Sequence, residues 1–216
     1  MSYSRKDAFI ACCLVIFIIT FAVIFVVFFK QLYYSDINYL GIDITSGLSQ
    51  TTIKENYSAL IDYQSIFYQG DLNLPAFVIS SNGKFHFGEV KRIFEVIQIL
   101  MVISGILSIG LIYSRIKEKE YRFLKLTGII SIVLSATIGL LSSINFNEAF
   151  VIFHKLLFRN DFWIFDYNSE PIIRILPEAF FMHALTMIVA IIITLSLSCI
   201  AYYSYKQKQI LKIQSE

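Results

Sequence analysis

Three histidines are the groups in this chain best suited to move protons. His86 sits in "FHFGEVKRIF" (85–94), and His154 sits in "FNEAFVIFHKLLFRNDFW" (146–163) among five phenylalanines and beside the only tryptophan, Trp163. His183 lies near the start of the last apolar run. Imidazole titrates near neutrality and can take or give a proton, work typically worth about 10²–10⁴ in rate. A catalytic zinc needs three protein ligands and an open position. His86-x-x-Glu89 and the carboxylates near His154 do not make such a set, and no H-E-x-x-H is present. Cys12, Cys13 and Cys199 all fall inside apolar runs, which leaves no exposed thiol nucleophile and no disulfide framework. Taken singly, each histidine reads most simply as a hydrogen-bonded packing residue with an amphipathic ring. His183 does so most of all.

The elements that carry these histidines are set by composition. Of 216 residues, 56% are hydrophobic, above the roughly 45–50% of a soluble domain. Net charge is +2, so the chain carries no nucleic-acid footprint. Four apolar runs, near 9–29, 93–113, 126–144 and 180–203, match the ~20 residues a helix needs to cross hydrocarbon. The first is too long for a cleaved signal peptide and has no small-residue cleavage site before Lys30. The expected organisation is a cytoplasmic end and first span over 1–29, an outer segment over 30–92 and a second span over 93–113. A cytoplasmic loop follows over 114–125, then a third span over 126–144. An outer segment over 145–179, a fourth span over 180–203 and a cytoplasmic tail over 204–216 complete it. Lys and Arg fix the orientation. Ten of the eighteen, including Arg5, Arg115, Arg122, Lys125 and Lys206, flank one side, with only four of the sixteen acids. The positive-inside rule puts both termini and the 114–125 loop in the cytoplasm. Mid-depth charges are nearly absent from the runs, which argues against an ion or substrate pathway.

The outer segments are expected to form a small α/β cap on four transmembrane helices. "SQTTIKENYSALIDY" reads as an amphipathic helix, with Thr52 and Glu55 as a capping box and Ile53, Tyr57, Leu60 and Ile61 as its apolar stripe. Asn82-Gly83 between two β-prone runs predicts a hairpin, with Phe85 and Phe87 on one face of an extended strand and Lys84 and His86 on the other. Asn147 is the expected N-cap of a second helix whose face carries Phe150, His154 and Leu157. Both outer histidines then stand at the depth of the bilayer surface, where aromatic residues gather.

"FHFGEVKRIF" resembles an H-x-x-[DE]-V-K block. "FVIFHKLLFRNDFWIFDYNSEPIIRILPEAFF" (150–181) resembles an F-x-x-F-H-x-x-x-F-x-N-x-x-W-x-x-D…L-P-E-x-F-F block. Together they resemble the bacterial lipoprotein intramolecular transacylase family, small four-span membrane enzymes with an extracellular cap. Glu89, where aspartate is commoner, and Tyr167, where proline is commoner, depart from its pattern. The resemblance implies a multi-pass protein of the bacterial cell membrane that acts at the outer leaflet. Its partners would be membrane lipid and lipoproteins whose N-terminal cysteine carries a diacylglyceryl thioether and a free α-amine. The sn-2 acyl chain would move to that amine, giving the lyso form. The family's two catalytic histidines match His86 and His154. The nucleophile is the substrate's own amine and the reaction runs downhill from ester to amide, so neither a serine elbow nor a cofactor is required. Phe150, Phe153, Phe158 and Trp163 are the expected apolar walls, and Glu89 or Asp166 the residues that would orient an imidazole. The other readings are an acyltransferase that draws on phospholipid and a non-enzymatic membrane protein whose cap binds a partner.

Overall fold

The computed structural model describes residues 3–167 and 170–215. It comprises α1 (Arg5–Phe28), α2 (Lys30–Tyr39), α3 (Ile42–Ser46), α4 (Gln50–Tyr63), α5 (Ser81–Lys117), α6 (Arg122–Ile144), α7 (Phe146–Leu157), a 3-10 helix (Pro171–Ile175) and α8 (Glu178–Ser215). The chain divides into two compact units. One contains Met1–Val23, Gln98–Leu140 and Met187–Glu216, the other Ile24–Ile97 and Leu141–Thr186. Among the described residues there is no strand, so the cap is helical and not α/β.

The first unit is built from parts of α1, α5, α6 and α8, the four helices long and apolar enough to cross a membrane. Lipid tails are as apolar as leucine, so such helices associate through close packing of small residues. Gly128 supplies it. A Cβ there would stand 2.5 Å from Ile200 Cγ1 and 2.7 Å from the Ser196 carbonyl oxygen, so α6 runs against the backbone of α8. Ser131 and Ser135 are buried on the same face. Asp7 is fully buried and takes hydrogen bonds from Arg115 at 2.6 Å and from the Ser4 amide and hydroxyl.

The second unit holds all three histidines. At its core Tyr33 and Tyr57 stack with ring centroids 3.6 Å apart, and Phe180 stands edge-on to both. The Tyr33 hydroxyl donates to the Ile175 carbonyl at 2.5 Å, which satisfies its one polar atom in a dry site. The stripe Ile53, Tyr57, Leu60 and Ile61 is buried as its spacing predicts. The cap of α4 differs. Ser49 is the N-cap, extended in backbone, and its hydroxyl accepts from the Thr52 amide at 3.1 Å. Thr52 already lies in the first turn, so the helix begins before the expected capping box.

The hairpin at Asn82-Gly83 is replaced by the start of α5. The Ser80 hydroxyl accepts from the Gly83 amide at 3.0 Å, a capping bond that commits the chain to helix. Gly83 serves packing here and not a turn. A Cβ would stand 2.7 Å from Ile79 Cγ2 and 3.0–3.1 Å from both carboxylate oxygens of Glu170. Further along α5, the Lys91 ammonium donates to the carbonyls of Tyr63 and Ser65 at 2.8 Å each and lies over the rings of Tyr63 and Tyr68. It fixes the end of α4 to α5.

Candidate active site

His86 belongs to the second turn of α5. A helical step replaces strand alternation, so His86 and Phe87 turn inward together while Phe85 stays half exposed. His154 belongs to α7, whose N-cap is Asn145 and not Asn147. Asn145 is extended, and its side-chain oxygen accepts from the Glu148 amide at 3.2 Å. Asn147, inside the first turn, instead donates to Glu178 at 2.9 Å. His154 is buried at 9% exposure, while Ile152, Phe153 and Leu156 of the same helix are open at 51–79%. Of the expected face, Phe150 and His154 turn in and Leu157 is exposed.

The structure brings His86 and His154 together, with ring centroids 6.1 Å apart at an interplanar angle of 31°. Phe158 stands against both rings, at 4.7 Å from His86 and 5.7 Å from His154. Its place follows from the end of α7, where the Phe158 amide donates to the His154 carbonyl at 2.8 Å and the chain becomes extended. Phe150 lies 4.1 Å from His154 and Trp163 4.8 Å, the latter tilted by 33°. Phe153 meets His154 edge-on at 5.5 Å with its own ring mostly exposed. Phe165 stands edge-on to His86 at 5.5 Å. It extends the aromatic run by only two residues beyond Trp163, yet only the fold reveals its contact.

The nitrogen that holds His154 in place is Nδ1, 2.7 Å from the Phe150 carbonyl oxygen. A carbonyl can only accept, so the proton is on Nδ1 and the lone pair on Nε2. The restraint on His154 is a backbone carbonyl one turn earlier. The Glu89 carboxylate receives the side-chain amide of Asn160, at 3.1 Å to each oxygen, and the Asp166 side chain is exposed. His86 Nδ1 is buried with no hydrogen-bond partner among the described residues. Both histidines stand outside the apolar runs. Burial pushes His86 down to about 4, with repulsion from His154 a second cause. Burial also lowers His154, against the opposing effect of its bond to Phe150. Both rings are therefore neutral at pH 7.

His183 has a different setting. Its Nδ1 lies 3.0 Å from both oxygens of the buried Asp36 carboxylate, and its ring is 5.7 Å from Tyr39. Among the described residues, no group of three His, Cys, Asp or Glu side chains is placed to hold a metal ion.

Four apolar helices define a multi-pass membrane protein, and its second unit holds a pair of neutral, aromatic-lined imidazoles. A family model described as lipoprotein intramolecular transacylase Lit matches residues 8–181. The in meso structure of the membrane integral lipoprotein intramolecular transacylase Lit from Bacillus cereus superposes with a TM-score of 0.94 at 37% identity, covering 96% of each chain. Two further structures of that protein carry a histidine replaced by arginine or by alanine. Each is 37% identical to this chain, with TM-scores of 0.86 and 0.87. The arginine variant covers 98% of this chain and 93% of its own, the alanine variant 96% and 94%. No curated protein sequence gave a match. The chain belongs to the lipoprotein intramolecular transacylase family, and its activity is that of an acyltransferase.

Proposed function

We propose that this protein moves the sn-2 acyl chain of a diacylglyceryl-modified lipoprotein onto that lipoprotein's own N-terminal amine, with His154 as base and His86 as proton donor. The pairing of the two imidazoles within one aromatic pocket carries this reading. That a relative's structure was determined with a histidine replaced supports it further.

The steps balance without a covalent enzyme intermediate. The substrate amine, as free base, attacks the sn-2 ester carbonyl carbon. As the C–N bond forms, His154 Nε2 takes a proton from nitrogen; its tautomer leaves that lone pair available. His154 passes that proton on to neutral His86, and as the C–O bond breaks the glyceryl oxygen takes it from the protonated His86 ring, which leaves both rings neutral. The net change is one proton moved from nitrogen to oxygen and one acyl chain moved from oxygen to nitrogen. Neutral imidazoles suit this relay, because a permanently charged ring could not take the first proton. Phe150, Phe158 and Trp163 are the walls that exclude water and fold the glyceryl tether, with Phe153 at the rim. Well-oriented intramolecular reactions can gain about 7–11 kcal/mol from such positioning.

In this reading both termini are cytoplasmic and the histidines face the outer leaflet. The Lys and Arg asymmetry supports that orientation. Membrane lipid surrounds the four helices, and no cofactor takes part.

The test is mass. A synthetic diacylglyceryl-cysteinyl peptide with a free amine, incubated with the purified protein in detergent without phospholipid, keeps its mass and loses its amine. Fragmentation then places one acyl chain on nitrogen. Gain of an acyl chain only when phospholipid is added overturns the intramolecular reading. No reaction of an authentic substrate with folded protein overturns the enzymatic assignment of the pocket.

A further inference from the structure

The structure assigns Asn160 a positioning role in the transfer: its side chain ties α5 to the Trp163 segment and so sets the spacing of the two imidazoles. This inference rests on the histidine-pair reading above.

The observations converge on a short segment after α7. Asn160 uses every polar atom of its side chain. The amide nitrogen donates to both Glu89 oxygens at 3.1 Å, and the oxygen accepts from the Phe162 amide at 3.0 Å. Its backbone carbonyl takes the Trp163 indole N–H at 3.0 Å, which aims the indole onto the His154 ring. Phe162 meets Phe85 edge-on at 5.2 Å. The segment therefore grips α5 at Phe85 and Glu89, on either side of His86 in sequence, and reaches His154 through Trp163. One residue thus links the two elements that carry the proton-transfer groups.

Asparagine is the side chain this position needs. It must donate to a carboxylate while accepting from the backbone amide two residues on. Aspartate cannot donate, and alanine can do neither. Loosening a site by about 1 Å can cost about 100-fold in rate.

The experiment uses the full-length protein in detergent with a synthetic diacylglyceryl-cysteinyl peptide. Asn160→Asp sets two carboxylates against each other, and kcat is expected to fall about 100-fold with KM changed less than about threefold. Glu89→Gln alone should cost about fivefold, because the facing amide groups lose one of two good contacts. The double variant E89Q/N160D reverses donor and acceptor, and it should recover at least about tenfold over N160D. Asn160→Ala changes no charge, so it should lower kcat without moving the midpoint of the pH profile. Thermal unfolding reports whether each variant is folded, and E89Q carries the test if N160D is not.

Wild-type kcat in folded N160A and E89Q, or a double variant no faster than a folded N160D, overturns the positioning role. A shifted pH midpoint in N160A also overturns it, because the residue would then act on proton affinity and not on geometry. His86→Ala and His154→Ala are measured alongside. If these retain turnover, the histidine pair itself is at fault. If they are inactive while the Asn160 variants are normal, only the positioning role fails.

Discussion

Two histidine neighbourhoods in the same unit make opposite use of the same ring. His183 meets a buried carboxylate, both oxygens of Asp36 lying 3.0 Å from its Nδ1. His86 and His154 meet aromatic faces, and among the described residues the hydrogen bond that fixes His154 goes to a backbone carbonyl. Burial in an apolar pocket lowers both of these rings and keeps them neutral. A ring that must accept a proton and pass it on within one turnover is better served by the second setting. The first serves to bind α2 to α8. Burial and charge, more than residue type, separate the two settings.

The largest effect that would break this comparison is loss of turnover. His154→Ala and His86→Ala should each lower kcat by about 10²–10⁴, with unfolding temperatures close to wild type, measured by lipopeptide conversion and thermal scanning. Either variant at wild-type rate removes the relay.

A smaller effect falls on stability. Asp36→Ala leaves His183 without its acceptor in a partly buried site and should destabilise the protein by about 1–3 kcal/mol. Turnover per folded molecule should persist. A variant that is fully stable but inactive would move His183 into the chemistry.

The pH dependence has a fixed sign. The folded pKa of His86 is lowered to about 4, below the unfolded value near 6.5. The unfolded chain therefore binds more protons between those values, so stability falls as pH drops from 6.5 toward 4. His86→Phe, which keeps a ring in the pocket, should flatten that part of the unfolding-temperature curve. An unchanged slope would mean that the ring is not held neutral by burial.

The smallest expected effect is His183→Ala on turnover, a change within about threefold. Surface and clasp residues away from reacting atoms seldom alter the chemical step.

The sequence spoke clearly where information is local and continuous. Runs of about 20 apolar residues are unambiguous, and the stripe Ile53, Tyr57, Leu60 and Ile61 is buried as read. It misled where a local signal had a distant cause. Asn82-Gly83 has the form of a hairpin turn, but the glycine is there because Ile79 and Glu170 crowd it, and Glu170 lies 87 positions away. Asn147 has the chemistry of an N-cap, but so does Asn145, and only the extended backbone of Asn145 decides between them. The nearness of His86 to His154, 68 positions apart, follows from the packing of α5 against α7 and leaves no trace in either stretch. The Asn160 link to Glu89 was hidden for the same reason.

α5 has a mechanical consequence. Its 37 residues form one uninterrupted helix, about 55 Å long at 1.5 Å per residue, against roughly 30 Å of bilayer hydrocarbon. The apolar stretch within it, 93–113, is only about 32 Å long and matches the hydrocarbon, so the first three turns, which carry His86, extend beyond the slab. A bilayer thinner or thicker than that stretch costs energy, and turnover in bilayers of graded thickness should pass through an optimum.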